Sequence, residues 1–413
     1  MPHTTCCVVG GGPAGMMLGL LLARAGVEVT VLEKHADFLR DFRGDTVHSS
    51  TLDLLDELGL GEAFSQLPHR LVDKLQVPVG PGVNVGADVS RLRGPHKHIA
   101  FVPQWDFLDL LAEAGKQEPT FTLRMNTEVT GLTTRDGRVT GVHYRTADGE
   151  TGELGADLVV ACDGRGSSLP DSAGLRERSW PVPMDVWWFR LPRNEGEPVG
   201  ASGRIGNGRM AVYIDRGDYF QIAFLIPKGS DARWRAAGLD AFRANFAALM
   251  PWLADRLDTV TSLDDVKLLD VKLNRRARWF APGLLCIGDA AHAMSPIGGV
   301  GINLAVQDAV AAARILAGPL RRHAVSWRDL ARVQARRWLP TAVTQALQRL
   351  IHAKGVTPAL RGQLEVSEER SPRPLKLMAR FPALQVVPAF LIARGILPEH
   401  APVFARRPGN PAS

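Results

Sequence analysis

The chain opens with alternating blocks of strand-forming and helix-forming residues. Thr4 to Val9 is a short apolar run, Ala14 to Ala25 is rich in Ala, Leu and Met, and Val27 to Leu32 is β-branched again. A short run, a helix-length run and a second short run predict a βαβ unit. Gly26 supplies the left-handed residue that ends such a helix. Helical spacing returns over Ser50 to Leu58, with Gly59 as its stop, and over Phe107 to Ala114. Between them, Leu71 to Pro95 is rich in Val, Pro and Gly without helical period and reads as strands and loops.

Thr120–Arg124, Glu128–Arg135 and Val139–Thr146, punctuated by Arg135-Asp136-Gly137 and Ala147-Asp148-Gly149, predict a β-meander that leads into an apolar strand, Leu158–Cys162. Three aromatic and β-branched segments, Met184–Leu191, Arg209–Ile214 and Tyr219–Ile226, predict an antiparallel sheet. Asp240–Leu253 reads as an amphipathic helix and Val266–Leu273 as a strand. Leu284–Ile287 reads as a buried strand, followed by a glycine-rich loop and a helix opening near Ile302. The rest is mostly helical by pattern. The expected fold class is α/β, a Rossmann-like domain interleaved with an antiparallel β-sheet domain, plus C-terminal helices. Residues 1–72, 98–180 and 274–340 are assigned to the first domain, 73–97 and 181–273 to the second, and 341–413 to the helical region.

Composition narrows the class. With 413 residues, 45% of them hydrophobic, the chain can bury a large core, which excludes disorder and a disulfide-stapled miniprotein. The four cysteines, Cys6, Cys7, Cys162 and Cys286, all fall in apolar runs and read as core residues of a reducing, cytoplasmic compartment. No signal peptide, membrane span or metal site is expected. The net charge of +6 is modest, and the Arg cluster Arg321, Arg322, Arg328, Arg332, Arg336 and Arg337 reads as a solvated helix face. No nucleic-acid partner is expected.

Three motifs carry chemistry. Gly10-Gly11-Gly12-Pro13-Ala14-Gly15 stands between the first strand and helix, with Glu33 and Lys34 ending the next strand. Gly10 permits the tight turn, Gly12 lets backbone N–H groups approach a pyrophosphate, Gly15 lets helix and sheet close up, and Glu33 can accept from ribose hydroxyls. This points to a dinucleotide, FAD or NAD, against the plainer reading of a tight turn. The second motif is Gly288-Asp289-Ala290-Ala291-His292 with Pro296, Gly298, Gly299, Gly301, Ile302 and Asn303. An acid leaves a buried strand here and a helix N-terminus follows, a setting suited to the carbonyl edge of a flavin. His292 reads as structural. The third motif is Asp163-Gly164-Arg165-Gly166-Ser167, which taken alone is also a simple strand-exit turn.

In this order and spacing, the three motifs resemble those of the class A flavoprotein aromatic hydroxylases, the para-hydroxybenzoate hydroxylase family, over about residues 1–345. The resemblance implies a GR2-type FAD-binding fold with a substrate sheet over the flavin. It implies that Gly10, Gly12, Gly15 and Glu33 hold the ADP half, with Pro13, Ala14 and Lys34 beside them. It assigns Asp289 to the ribityl or pyrophosphate region and Pro296 to Asn303 to the isoalloxazine. Arg43 fits a family position that contacts the flavin's chain. Gln104 stands where the family has an Arg, and Val129 and Asp163 complete the expected contacts. After Ser167 the chain lacks the family's usual basic residue, which leaves Arg165 as the nearby cation and the choice between NADH and NADPH open.

The implied reaction is reduction of FAD by NAD(P)H, capture of O₂ as a flavin C4a-hydroperoxide, and hydroxylation or epoxidation of a hydrophobic aromatic or polyketide-like substrate. His48 and Tyr213 are candidate bases for a phenolic substrate. Val186-Trp187-Trp188-Phe189, Tyr213, Phe220 and Phe224 are candidate wall residues, only alternate ones of which can face a pocket. Two other readings are a flavin halogenase and a non-catalytic flavin- or ligand-binding protein that sequesters a hydrophobic compound. Against the first, Trp187-Trp188-Phe189-Arg190-Leu191-Pro192 is not the Trp-x-Trp-x-Ile-Pro element of the halogenases. A homodimer is left open.

Overall fold

A computed structural model describes residues 2–39, 46–80, 83–363 and 386–407. Its core is a largely parallel sheet in the order Phe280–Ala281, Leu284–Cys286, Thr151–Ala161, His3–Val9, Val29–Leu32 and Phe121–Arg124. His3–Val9 sits in the middle, and six of its seven residues are buried without alternation, because both faces are covered. On one face the glycine-motif helix Pro13–Arg24 packs against the inner helix Gly301–Arg321. Pro13 occupies the first helical turn, where its missing N–H costs nothing.

The second sheet has the order Lys267–Leu269, Met184–Pro192, Tyr219–Pro227, Arg209–Asp215, Ala201–Gly206, Lys74–Gly80 and Val83–Asp88. Strand alternation splits its residues cleanly. Trp187, Phe189 and Phe224 meet Phe242 and Phe246 of the helix Gly238–Leu249 edge-to-face at ring separations of 5.1–5.9 Å, and Phe220 on the same face meets Tyr213 and Trp252. Met184, Val186, Trp188, Val212, Ala223 and Leu225 lie on the other face, toward the first sheet. The expected fold class is observed.

Several expected elements differ in detail. The meander loses its first strand, because Phe121–Arg124 pairs in parallel with Val29–Leu32, and only Thr127–Arg135, Arg138–Thr146 and Thr151–Ala161 run antiparallel in series. Thr151–Ala161 has three partners within this one sheet, antiparallel to Arg138–Thr146 along its first half and parallel to His3–Val9 and Leu284–Cys286 along its second, and its polar first half hid its length in the hydrophobic pattern. The helix expected to Leu253 ends at Leu249, since Pro251 cannot continue it, and a 3₁₀ segment Pro251–Thr259 follows. The strand expected over Val266–Leu273 shrinks to Lys267–Leu269. Part of the expected C-terminal helical region, residues 364–385, lies outside the described residues.

Arg337 corrects the reading of the Arg cluster as a solvated face. It lies on the tail helix Trp327–Ile351, is 1% exposed, and donates from Nε to Asp308 Oδ1 at 3.0 Å. The other oxygen of Asp308 accepts from the backbone N–H of Gly288 at 3.1 Å and pairs with His292 Nε2 at 2.6 Å. Burial pushes this carboxyl up, but the His292 and Arg337 groups outweigh it and hold it below the usual carboxylate range.

Asp308→Asn takes the nearer counter-charge from the buried Arg337 guanidinium, leaving it Glu399 at 3.8 Å, and the expected loss is about 3–5 kcal/mol of stability near neutral pH. A folded-state carboxyl held low contributes fully above its unfolded value of about 3.9 and loses that contribution as pH falls through the lower folded value. Urea unfolding at about pH 7 and about pH 3 should therefore show the gap between wild type and variant closing on the acid side. A gap of equal size at both pH values would contradict this account.

Candidate functional site

One cavity of about 1690 Å³ runs from the glycine motif to the second sheet. Single small-molecule pockets measure about 300–1,000 Å³, so this one has room for more than one ligand. Its first end is backbone. Gly10 takes φ +100° with its N–H on Leu32 O, and an added Cβ would stand 2.7 Å from Cys162 O. A Cβ on Gly15 would stand 1.9 Å from Gly10 O, the close helix–sheet approach expected of that glycine. A Cβ on Gly12 would meet nothing within 4 Å, because Gly12 faces the cavity.

Glu33 sits beside this loop and is buried. Its carboxylate accepts from Gly11 N at 2.8 Å and His35 N at 3.1 Å, so strand end and loop are tied together. Pro13, Ala14, Lys34, Gln104, Val129 and Asp163 line the same end. Burial pushes the Asp163 carboxyl up. The second and third motifs meet directly: Arg165 Nη2 lies 3.5 Å from Asp289 Oδ2, and both residues line the cavity.

The loop after Asp289 forms the middle of the cavity wall. Pro296, Gly298, Gly299, Gly301 and Ile302 all line it. Gly299 takes φ +63°, and its carbonyl accepts from Thr46 Oγ1 at 2.8 Å. Gly288 does not line the cavity; its φ of +59° and its closeness to Ala14 Cβ, 3.2 Å from a Cβ added at Gly288, suit a packing role. Asn303 is also turned away. Its Oδ1 accepts from His48 N at 2.9 Å and Thr51 Oγ1 at 2.7 Å, and its Nδ2 donates to Thr46 O at 3.3 Å. Asn303 therefore fixes the inner helix to the neighbouring strand and helix.

The far end of the cavity is side chain. Met184, Val186, Trp188, Met210, Val212 and Leu225 come from the second sheet, and Leu347, Ile351 and Ile392 from C-terminal helices. The same tail helix points polar residues inward. Arg337, Thr341, Gln345, Gln348 and His352, at intervals of four, four, three and four, are all buried. Gln348 accepts from Ser295 N at 3.1 Å and donates to Ser295 O at 2.9 Å and Ile297 O at 3.0 Å. It holds the peptide on either side of Pro296 like a short strand pairing. These tail residues were missed from sequence, although their spacing on one helix face was the available signal.

Neither candidate base reaches the cavity. His48 is fully buried, its Nδ1 is 2.6 Å from Ile392 O, and burial pushes the ring down to about 4. Tyr213 stands between Val212 and Ile214, which line the cavity, so alternation sends its ring to the opposite face, against Phe220 and Trp252. Arg43 lies outside the described residues. Among the described residues no group of three His, Cys, Asp or Glu side chains is placed to hold a metal ion, and no helix is long and apolar enough to cross a membrane.

Comparison with known proteins agrees with this geometry. The family model of the FAD binding domain matches residues 3–347. The chain is 35% identical over 378 residues to 6-methylpretetramide 4-monooxygenase of Streptomyces rimosus, covering 90% of each protein. The solved structure of OxyS anhydrotetracycline hydroxylase from Streptomyces rimosus aligns at a TM-score of 0.72 and 22% identity, over 95% of this chain and 76% of that one. The myxobacterial chondrochloren halogenase CndH aligns at 0.69 and 17% identity, over 94% of this chain and 91% of that one. The two structural likenesses speak for the fold alone.

Two glycine variants separate packing from ligand approach. Gly15→Ala forces a Cβ against Gly10 O and is expected to cost at least about 1–3 kcal/mol of stability. Gly12→Ala is expected to cost under about 1 kcal/mol, since its Cβ meets no protein atom, yet to weaken flavin binding at least about tenfold. Chemical denaturation and flavin titration of the two apoproteins check both; equal flavin affinity of Gly12→Ala and wild type would refute the second expectation.

Proposed function

The chain belongs to the FAD binding domain family and is an FAD-dependent monooxygenase of the para-hydroxybenzoate hydroxylase class, with NAD(P)H as co-substrate, and on that premise we propose that it hydroxylates a polycyclic, phenolic polyketide. The carrying observation is the single cavity whose glycine-lined end continues into an apolar end walled by Val186, Trp188, Val212, Leu225, Leu347 and Ile351. A flat, many-ringed hydrophobe suits a slot between a sheet face and a helix.

The residues present fit FAD. In this proposal Gly10, Gly12 and the first turn of the helix Pro13–Arg24 receive the pyrophosphate, Glu33 the ribose, and Asp289, steadied by Arg165, the ribityl region. Pro296 to Ile302 and the N-terminus of the inner helix would hold the flavin ring, the helix dipole favouring the negative charge that its carbonyl edge gains on reduction. When bound, the flavin supplies the redox chemistry and the activation of oxygen. The chain's own task is to hold the substrate carbon close and keep water out. The apolar sheet face does the second, and the tail helix closes the slot. In this reading residues 1–72, 98–180 and 274–340 serve the cofactor, and residues 73–97 and 181–273 the substrate. A cytoplasmic setting is proposed from the four free, buried thiols, all of which burial pushes up and keeps unreactive.

Purified holoenzyme should oxidise NADPH or NADH faster when 6-methylpretetramide is added, and the product mass should rise by one oxygen atom regardless of chloride. Unstimulated oxidation with this compound and with a panel of polycyclic phenols would sink the proposal. A chloride-dependent mass would turn it toward halogenation.

A further inference from the structure

A second polar pair, of which the serine lines the cavity and the histidine stands behind it, has no part in the cofactor contacts above. Ser295 lines the cavity one residue before Pro296, and its Oγ lies 2.9 Å from Nε2 of His352. Ser295 is 1% exposed and His352 3%. His352 opens a π-helical segment, His352–Val356, at the end of the tail helix. Such segments are rare and concentrate at functional sites. Among the described residues the other ring nitrogen, Nδ1, is enclosed with no hydrogen-bond partner, which is a cost that native proteins keep for a reason.

We propose that Ser295 and His352 form a proton relay that removes the phenolic proton of the substrate. This rests on reading the protein as a phenol hydroxylase. The substrate O–H gives its proton to Ser295 Oγ while the Ser295 hydroxyl proton passes to His352 Nε2. The electron pair of the broken O–H bond stays on the substrate oxygen, so the step yields a phenolate and an imidazolium and consumes nothing else. The phenolate's extra electron density is what makes its ring carbon a nucleophile toward an electrophilic oxygen. When product leaves, the proton returns along the same two bonds.

The surroundings favour a relay over other uses of a serine–histidine pair. Hydrolases place a carboxylate behind Nδ1 to hold the imidazolium, and among the described residues that atom has none here. A charge on the ring is therefore short-lived, which suits a proton that must be returned. The backbone N–H of Ile297 approaches Ser295 Oγ at 3.4 Å and occupies one of its lone pairs. Gln348 fixes the Ser295 peptide on both sides, so the hydroxyl is held in place. Burial pushes the His352 ring below the ordinary imidazole value, and no charged side chain contributes to that shift, including Arg349 and Lys354 on its own helix. The ring is neutral near neutral pH and free to accept. His48 and Tyr213 lack this access to the cavity.

The test is product formation from 6-methylpretetramide, read by mass and followed from about pH 6 to about pH 10, for wild type, Ser295→Ala, Ser295→Thr and His352→Gln holoenzymes of matched flavin content. Wild type should be level across the neutral range and fall only on the acid side, where the imidazole becomes protonated. Ser295→Ala and His352→Gln should lose about 1,000-fold in kcat near pH 7, where about one phenol in a thousand is ionised. They should then gain about tenfold per pH unit as the phenol ionises by itself toward about pH 10. Ser295→Thr, which keeps the hydroxyl, should restore most of the rate. Variants that retain the wild-type rate, or lose the same factor at every pH, overturn the relay while leaving the hydroxylase reading intact. Wild type that forms no oxygenated product from this compound or from polycyclic phenols overturns both.

Discussion

Asp308 lies fully buried in the inner helix and reaches three elements at once: the Gly288 N–H of the loop before Asp289, His292 after it, and Arg337 of the tail helix. Taking a carboxylate out of water costs several kcal/mol, and only close, well-aligned partners offset that. The arrangement persists because every partner is directional. Apolar packing alone would bring the inner helix against the sheet without choosing where Asp289 emerges. A hydrogen bond to the peptide next to Asp289 does choose, and it places that carboxylate 3.5 Å from Arg165 of another strand's exit loop. The meeting of two motifs more than a hundred residues apart therefore depends on a third residue that touches neither cavity nor ligand.

The tail helix continues the same logic. A helix packed on a protein normally turns apolar residues inward. This one turns Arg337, Thr341, Gln345, Gln348 and His352 inward, because what it covers is exposed backbone: the Ala293–Ile297 peptide groups, which belong to neither helix nor sheet. Buried N–H and C=O groups must find partners, and amide side chains on a facing helix supply them. Val343, Leu347, Leu350 and Ile351, on the opposite flank, are left to line the cavity. The helix is amphipathic in the reverse of the usual sense.

That inversion explains which parts of the molecule were legible in the sequence. That the glycine loop, Glu33, Asp163 and Asp289 share one cavity wall was readable because backbone shape and strand exits put them there, which a few glycines and acids announce locally. Gly10 and Gly15 occupy the tight spots that the motif requires. Arg337 misled because a polar stripe on a helix is ordinarily solvated, and nothing near it in the chain reveals Asp308. Asn303 follows the cavity-lining loop in the chain, yet its amide holds His48 and Thr51 rather than facing the cavity. Tyr213 turns its ring away from the cavity for a different reason. Choosing which face of a strand looks into a pocket needs the second sheet's position, and local alternation cannot supply it.

The two ends of the cavity consequently answer to different constraints. At the glycine end, adding one methyl group at Gly10 or Gly15 meets backbone atoms that cannot move, so little variation is tolerated. At the other end the walls are side chains from a sheet face and two C-terminal helices, and each methylene added or removed there changes discrimination by about 1–3 kcal/mol. The Ser295–Gln348–His352 contact lies at the junction, where the tail helix grips the loop and flanks the substrate wall. A change of substrate shape that shifts this helix would therefore be felt at the proton-transfer groups as well as at the walls. Specificity and catalysis are coupled here through one helix, not through separate parts of the chain.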